Sequence, residues 1–140
     1  MSRDIMISLQ FEHDVDFEEV LERLAKTGWE FVREENSLWY MTDFDWKELP
    51  LDGLTQAKLD MRAAYEAGET TGMTVRLPGG EFYANVMFHE DRRSVSLIPL
   101  LDYRTIERSP EFVDLGWYLE NFRRPFRDFT ILSTEASDHR

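Results

Sequence analysis

The stretch MTVRLPGGEFYANVMFHEDRRSVSLIPLL, Met73 to Leu101, decides the fold. Met73, Val75 and Leu77 alternate with Thr74 and Arg76, a period of two that puts apolar side chains on one face of a strand. Pro78-Gly79-Gly80 turns the chain. Phe82, Ala84, Val86 and Phe88 then alternate with Tyr83, Asn85, Met87 and His89. A second turn falls at Glu90-Asp91-Arg92-Arg93, and Val95 to Leu101 returns. Three strands joined by tight turns predict an antiparallel meander with one face on a core. Pro99 has no amide hydrogen to donate, which places it near an edge or a bulge.

Upstream, Ile5 to Phe11 settles into alternation and reads as a first strand. Asp16 is a good N-cap, Glu19 stands at the third helical position, and Val15 and Val20 have the spacing of a hydrophobic staple. Phe17, Val20, Leu21 and Leu24 share one helical face, with Glu18, Glu19, Glu22, Arg23 and Lys26 opposite. Gly28 supplies a left-handed stop on which Trp29 folds back toward Leu24. Trp29 to Glu35 and Leu38 to Phe44 read as two strands joined by a turn at Glu35-Asn36-Ser37, followed by an irregular acidic segment, Asp43 to Gly53. Thr55 is placed to cap a second helix ending near Ala67 and Gly68. Its narrow apolar face of Leu54, Ala57, Met61, Ala64 and Tyr65 predicts packing at the rim of the core.

Downstream, Ser109 as N-cap and Pro110 at the first helical position predict a third helix that ends by Arg124, before Pro125. Phe112, Leu115, Leu119 and Phe122 are its expected buried stripe. Phe129 to Leu132 allows one more short strand, and 133–140 reads as a disordered tail. The expected fold class is α+β, a largely antiparallel sheet of about six strands with three helices in the order β-α-β-β-α-β-β-β-α. One domain spans 1–132.

The chain has 140 residues, 42% of them hydrophobic and 14% aromatic, enough for a core despite its charge. It has no cysteine, which excludes disulfides, thiolate metal sites and a cysteine nucleophile. With no apolar run of about 20 residues and no signal-peptide pattern, the expected address is cytoplasmic, away from the membrane. The predominance of Arg over Lys suggests a GC-rich bacterial genome.

Formal net charge is −12, and it is uneven. Residues 1–60 hold 15 acidic and 6 basic side chains, a balance of 6 − 15 = −9. Such a half repels nucleic acid and attracts a basic partner; acidity also serves solubility alone. The Arg123-Arg124-Pro125-Phe126-Arg127 cluster suits a helix C-terminus better than a phosphate contact. His13, His89 and His139 show no metal-ligand spacing, and no cofactor is expected. There is no nucleophile elbow, no P-loop and no dinucleotide fingerprint. Carboxylates are too abundant for any pair to stand out as acid and base, so no catalytic residue is assigned.

The acidic aromatic segment is the strongest functional feature. Asp43, Phe44, Asp45, Trp46, Glu48 and Asp52 lie together, and Glu18, Glu19 and Glu22 extend the acidic surface if the first helix lies alongside. Trp is a favoured interface anchor, and carboxylates steer a basic partner. The alternative is that Phe44 and Trp46 tuck into the core while the acids face water.

A small, acidic, cysteine-free α+β chain with no catalytic signature resembles, in size and charge over its whole length, the immunity proteins of bacterial toxin–immunity systems. The resemblance implies a cytosolic inhibitor that binds a cognate toxin domain, often a basic nuclease, and occludes its active or substrate-binding surface. A competing reading is a small-molecule-binding domain or an enzyme with a pocket between sheet and helices, suggested by Tyr40, Tyr83, Tyr103, Trp117 and Tyr118. A third is a subunit of a larger assembly.

Overall fold

A computed structural model describes residues 3–34, 36–100 and 102–139. The α+β class is the one the sequence predicts. Nine strands and three helices follow in the order β1 (Asp4–Phe11), α1 (Phe17–Lys26), β2 (Ser37–Thr42), β3 (Asp45–Pro50), α2 (Leu54–Glu66), β4 (Thr71–Arg76), β5 (Tyr83–Phe88), β6 (Ser94–Pro99), β7 (Thr105–Ile106), β8 (Ser109–Val113), α3 (Leu115–Arg123) and β9 (Ile131–His139). Seven strands form one antiparallel sheet in the order β3-β2-β4-β5-β6-β1-β9, and β7 and β8 form a separate small hairpin.

The meander read from Met73 to Leu101, of which Leu101 lies outside the described residues, is the centre of this sheet. Val86 pairs with Met73 on one side and Leu97 on the other, and Leu97 pairs with Ile7 of β1. These side chains point to one face, where α1, α2 and α3 bury them. Fully burying an aliphatic or aromatic side chain stabilises by about 1.5–3 kcal/mol, so this layer dominates folding. Pro99 sits in a central strand, contrary to expectation, but at its last position. The ladder to β1 has already stopped at Leu97, so no partner there calls for an amide hydrogen.

α1 forms as its sequence requires. Asp16 accepts from the Glu18 amide, and Phe17, Val20, Leu21 and Leu24 are buried. Gly28 takes φ 95°, which lets the Trp29 amide reach back to the Leu24 carbonyl at 3.1 Å. α2 is more central than predicted: Ala57, Met61 and Tyr65 belong to the core itself. It opens from a short 3-10 turn over Leu51–Gly53, with Gly53 rather than Thr55 at the cap and no side-chain capping bond.

Other expectations need correction. Trp29 to Arg33 is not a strand; Trp29 dives into the core and only isolated bridges, Glu30 to Arg76 and Arg33 to Ser37, follow it. Glu35, in the predicted turn, lies outside the described residues. The Asp43 to Gly53 segment is not irregular, because β3 pairs with β2 along six positions. Ser109-Pro110-Glu111 opens no helix. That stretch is β8, Phe112 is 53% exposed, and α3 begins after Asp114, whose carboxylate accepts from the Trp117 amide. The buried stripe of α3 is Tyr118, Asn121 and Phe122. Residues 133–139 are not a disordered tail. They form most of β9, an edge strand paired with β1 from Asp4–His139 to Phe11–Ile131.

Arg62 of α2 ties the helices together. Its guanidinium grips Asp16 through two bonds of 2.6 and 2.8 Å and reaches Glu18 at 3.0 Å. It also lies 4.6 Å from the Phe17 ring. The Arg62 guanidinium holds the Asp16 carboxyl below the usual carboxylate range. Because the folded-state value is the lower one, this contribution is complete above the ordinary aspartate pKa and fades as pH falls through the folded value. We predict that Arg62→Ala loses about 1–2 kcal/mol at pH 7 in urea denaturation and that this deficit shrinks below about pH 4. A pH-independent deficit would assign Arg62 a packing role only.

Candidate functional site

The β2–β3 hairpin stands at one edge of the sheet. Its register is Met41–Trp46, Trp39–Glu48, Tyr40–Lys47 and Leu38–Leu49. Leu38 and Tyr40 are buried in the core beneath the helices, so alternation sends Trp39, Met41, Trp46 and Glu48 to the opposite, helix-free face. Trp46 is half-buried there. It is neither a core residue nor freely exposed, an outcome between the two open readings.

The turn is Asp43-Phe44, a two-residue connection in which both residues have positive φ, 49° and 65°. Such turns match the twist of the flanking strands and favour Asn-Gly or Asp-Gly, because a side chain in this region is strained. Phe44 occupies the position suited to glycine and leaves its ring 69% exposed. Strained, exposed aromatic residues are uncommon, and strain of this kind gathers at binding sites.

The tip is held from below. The Phe44 amide donates to the Met41 sulfur at 2.9 Å, and the Asp43 amide donates to the Thr70 carbonyl at 2.9 Å. Met41 in turn packs over Gly72 of β4 beside Met87. A Cβ on Gly72 would stand 2.9 Å from the Met87 sulfur and 3.0 Å from the Val86 carbonyl, so any side chain there displaces Met87 and crowds the backbone of β5. The importance of Gly72 is invisible in sequence, where it follows Thr71 as an ordinary loop glycine.

On the helix side, Tyr40 hydrogen-bonds Asp60 of α2. Burial, with the Asp60 carboxylate adding to it, pushes the Tyr40 hydroxyl up to about 12. Lys47 donates to Thr42 at 3.1 Å and lies 5.8 Å from the Tyr40 ring. These contacts hold the middle of the hairpin and its turn-proximal end against α2.

The predicted acidic surface divides in two. Asp43, Asp45, Glu48 and Asp52 are exposed, and none of them forms an ion pair or side-chain hydrogen bond among the described residues. With Lys47, the segment 43–52 carries 1 − 4 = −3. The three glutamates of α1 are already engaged. Glu18 is bound by Arg62, Glu19 lies 3.5 Å from Arg23 and Glu22 lies 3.0 Å from Lys26. The Lys26 ammonium holds the Glu22 carboxyl below the usual range. α2 stands between the two groups, contacting β2 through Asp60 and the start of α1 through Arg62. Glu18, Glu19 and Glu22 are therefore not part of one continuous surface with the hairpin.

Elsewhere, the depressions are open. The one of about 500 Å³ combines Ala25, Trp29, Phe31, Val32 and Leu51 with the charged Glu30 and Arg76. One of about 340 Å³ is lined by Glu19, Glu22, Arg23, Lys26, Thr27 and Pro125. Another, of about 220 Å³, includes His13, Asp14, Glu19 and Asp128 beside Phe11 and Phe129. No three metal-ligating side chains converge among the described residues. His89 turns onto the helix-free face, where its Nε2 is 2.7 Å from the Ser96 hydroxyl, itself 2.7 Å from the Ser8 hydroxyl. Ser96 is buried, and the chain of bonds satisfies polar groups on that face. No helix among the described residues is long and apolar enough to cross a membrane.

Comparison with protein-family models, curated proteins and solved structures finds no match.

If Phe44 carries backbone strain without contributing to the core, Phe44→Gly raises stability by about 1 kcal/mol, read from the urea midpoint. A loss of similar size would mean that the exposed ring supports the fold.

Proposed function

We propose that this protein is an inhibitor of another protein, an immunity-type factor that occludes a basic toxin surface, and that the β2–β3 hairpin makes the contact. The observation that carries this reading is a strained, exposed Phe44 flanked by the unpaired carboxylates of Asp43 and Asp45, with Glu48 farther along β3 and Asp52 past its far end also unpaired among the described residues. Acids that support a fold are gripped by cations, as Asp16 and Glu18 are by Arg62. Asp43, Asp45, Glu48 and Asp52 are left for water or for a partner. Negative charge accelerates encounter with a basic surface, and an exposed aromatic ring at the turn supplies an apolar anchor for affinity. The two-residue turn holds this anchor in place before binding, which limits the entropy lost on association. Occlusion needs no catalytic residue.

The test begins with the tagged chain as bait for a stoichiometric partner. Neutralising the site with Asp43→Asn, Asp45→Asn and Glu48→Gln together is then expected to weaken binding about tenfold or more, mainly by slowing association, and to flatten its salt dependence. The fold should be unaffected, since none of the three side chains forms an ion pair or hydrogen bond among the described residues. Unchanged affinity in a folded variant would contradict this site.

A further inference from the structure

The two edges of the sheet are built differently. β3, at one edge, carries Asp45, Lys47, Glu48 and Pro50, the charges and proline that discourage strand addition. β9, at the other edge, is nine residues long and reads Ile-Leu-Ser-Thr-Glu-Ala-Ser-Asp-His. It contains no lysine and no proline, and between Ile131 and Ser137 its only charge is Glu135. Its side chains lie exposed or half-buried on both faces, so no helix covers it, and among the described residues β1 is its only strand partner. A long edge with few charges and no covering helix is a template for strand addition.

We propose that β9 pairs antiparallel with β9 of a second copy of this chain, joining two seven-stranded sheets across a two-fold axis. The charges select the register. An axis at Glu135 would set two carboxylates face to face, whereas an axis at Ser137 sets Glu135 opposite His139 of the second copy, twice. The nearest remaining like charges, the two Asp138 side chains, are each held by Arg3 through bonds of 2.6 and 2.7 Å. The irregularity in the β1–β9 ladder between Gln10 and Phe11 lies at the far end, so Ser133 to His139 stays regular. The face that self-associates is thus separate from the acidic hairpin.

The absence of cysteine makes a direct test available. In the proposed register Ser137 faces itself, with the two side chains about 4.5–5.5 Å apart, within disulfide reach. Ser137→Cys is expected to oxidise to a covalent dimer at least tenfold faster than Thr55→Cys, on the exposed start of α2. Sedimentation of the unmodified chain should show a mass rising with concentration from 16.7 kDa, and Ser137→Lys should lower that association about tenfold while its circular dichroism stays unchanged. A chain that remains at 16.7 kDa up to millimolar concentration, or equal oxidation rates for the two cysteine variants, would overturn the proposal.

Discussion

Burial of a single face of the antiparallel sheet is the constraint on which the rest of the structure depends. Ile7, Leu9, Met73, Val86 and Leu97 alternate onto that face, and all three helices are spent covering it. A one-residue slip in any central strand would send its apolar set to the helix-free side, so this burial also fixes the register. The opposite face must then satisfy itself with compact polar and sulfur-containing groups. It does so through Ser8, Ser96 and His89 in one region and Met41, Gly72 and Met87 in another.

The candidate site is a consequence of this one-sided construction. β2 stays anchored at its buried positions Leu38 and Tyr40, while the turn of the hairpin lies at the end of the sheet, tied to Thr70 beside β4. Met41 lies over a glycine and lends its sulfur to the turn, so the geometry of Phe44 is set by β4 as much as by the hairpin itself. Charges that hold the fold and charges available for recognition are consequently different residues. Arg62 closes the gap between α1 and α2 and pairs with the acids beside it, whereas no cation among the described residues stands within 4 Å of the hairpin acids.

Where hydrophobic period and capping residues agreed, the sequence was sufficient. The central meander and α1 are cases of this kind, each with several apolar positions on one face and clear punctuation. The misreadings share a different cause. β9 has few apolar residues because neither of its faces is fully buried, so the period that marks a strand is absent; backbone pairing to β1, the contact of Ile131 with the core and the Arg3–Asp138 ion pair hold it. Ser109-Pro110-Glu111 has the letters of a helix start, but Asp114 offers the better cap and Pro110 is tolerated in an isolated two-stranded hairpin. The acidic segment was legible as a surface from its composition. Its strand character was not, because Asp45, Lys47 and Glu48 are poor strand formers that sit on an edge. Glu19–Arg23 and Glu22–Lys26 have the i,i+4 spacing of helix ion pairs, whereas the capture of Glu18 by Arg62 of α2 appears only in three dimensions.

The fold therefore leaves one acidic aromatic projection unused by its own stability, and the functional reading stands on that separation. Amide chemical-shift mapping of the labelled protein against its co-purifying partner tests it most directly. The account predicts that the largest changes fall on 43–48 and on Thr70 and Gly72 beneath the turn, with α1 little affected. Changes centred on α1, or on the cleft formed by Phe11, His13 and Phe129, with the hairpin silent, would contradict it.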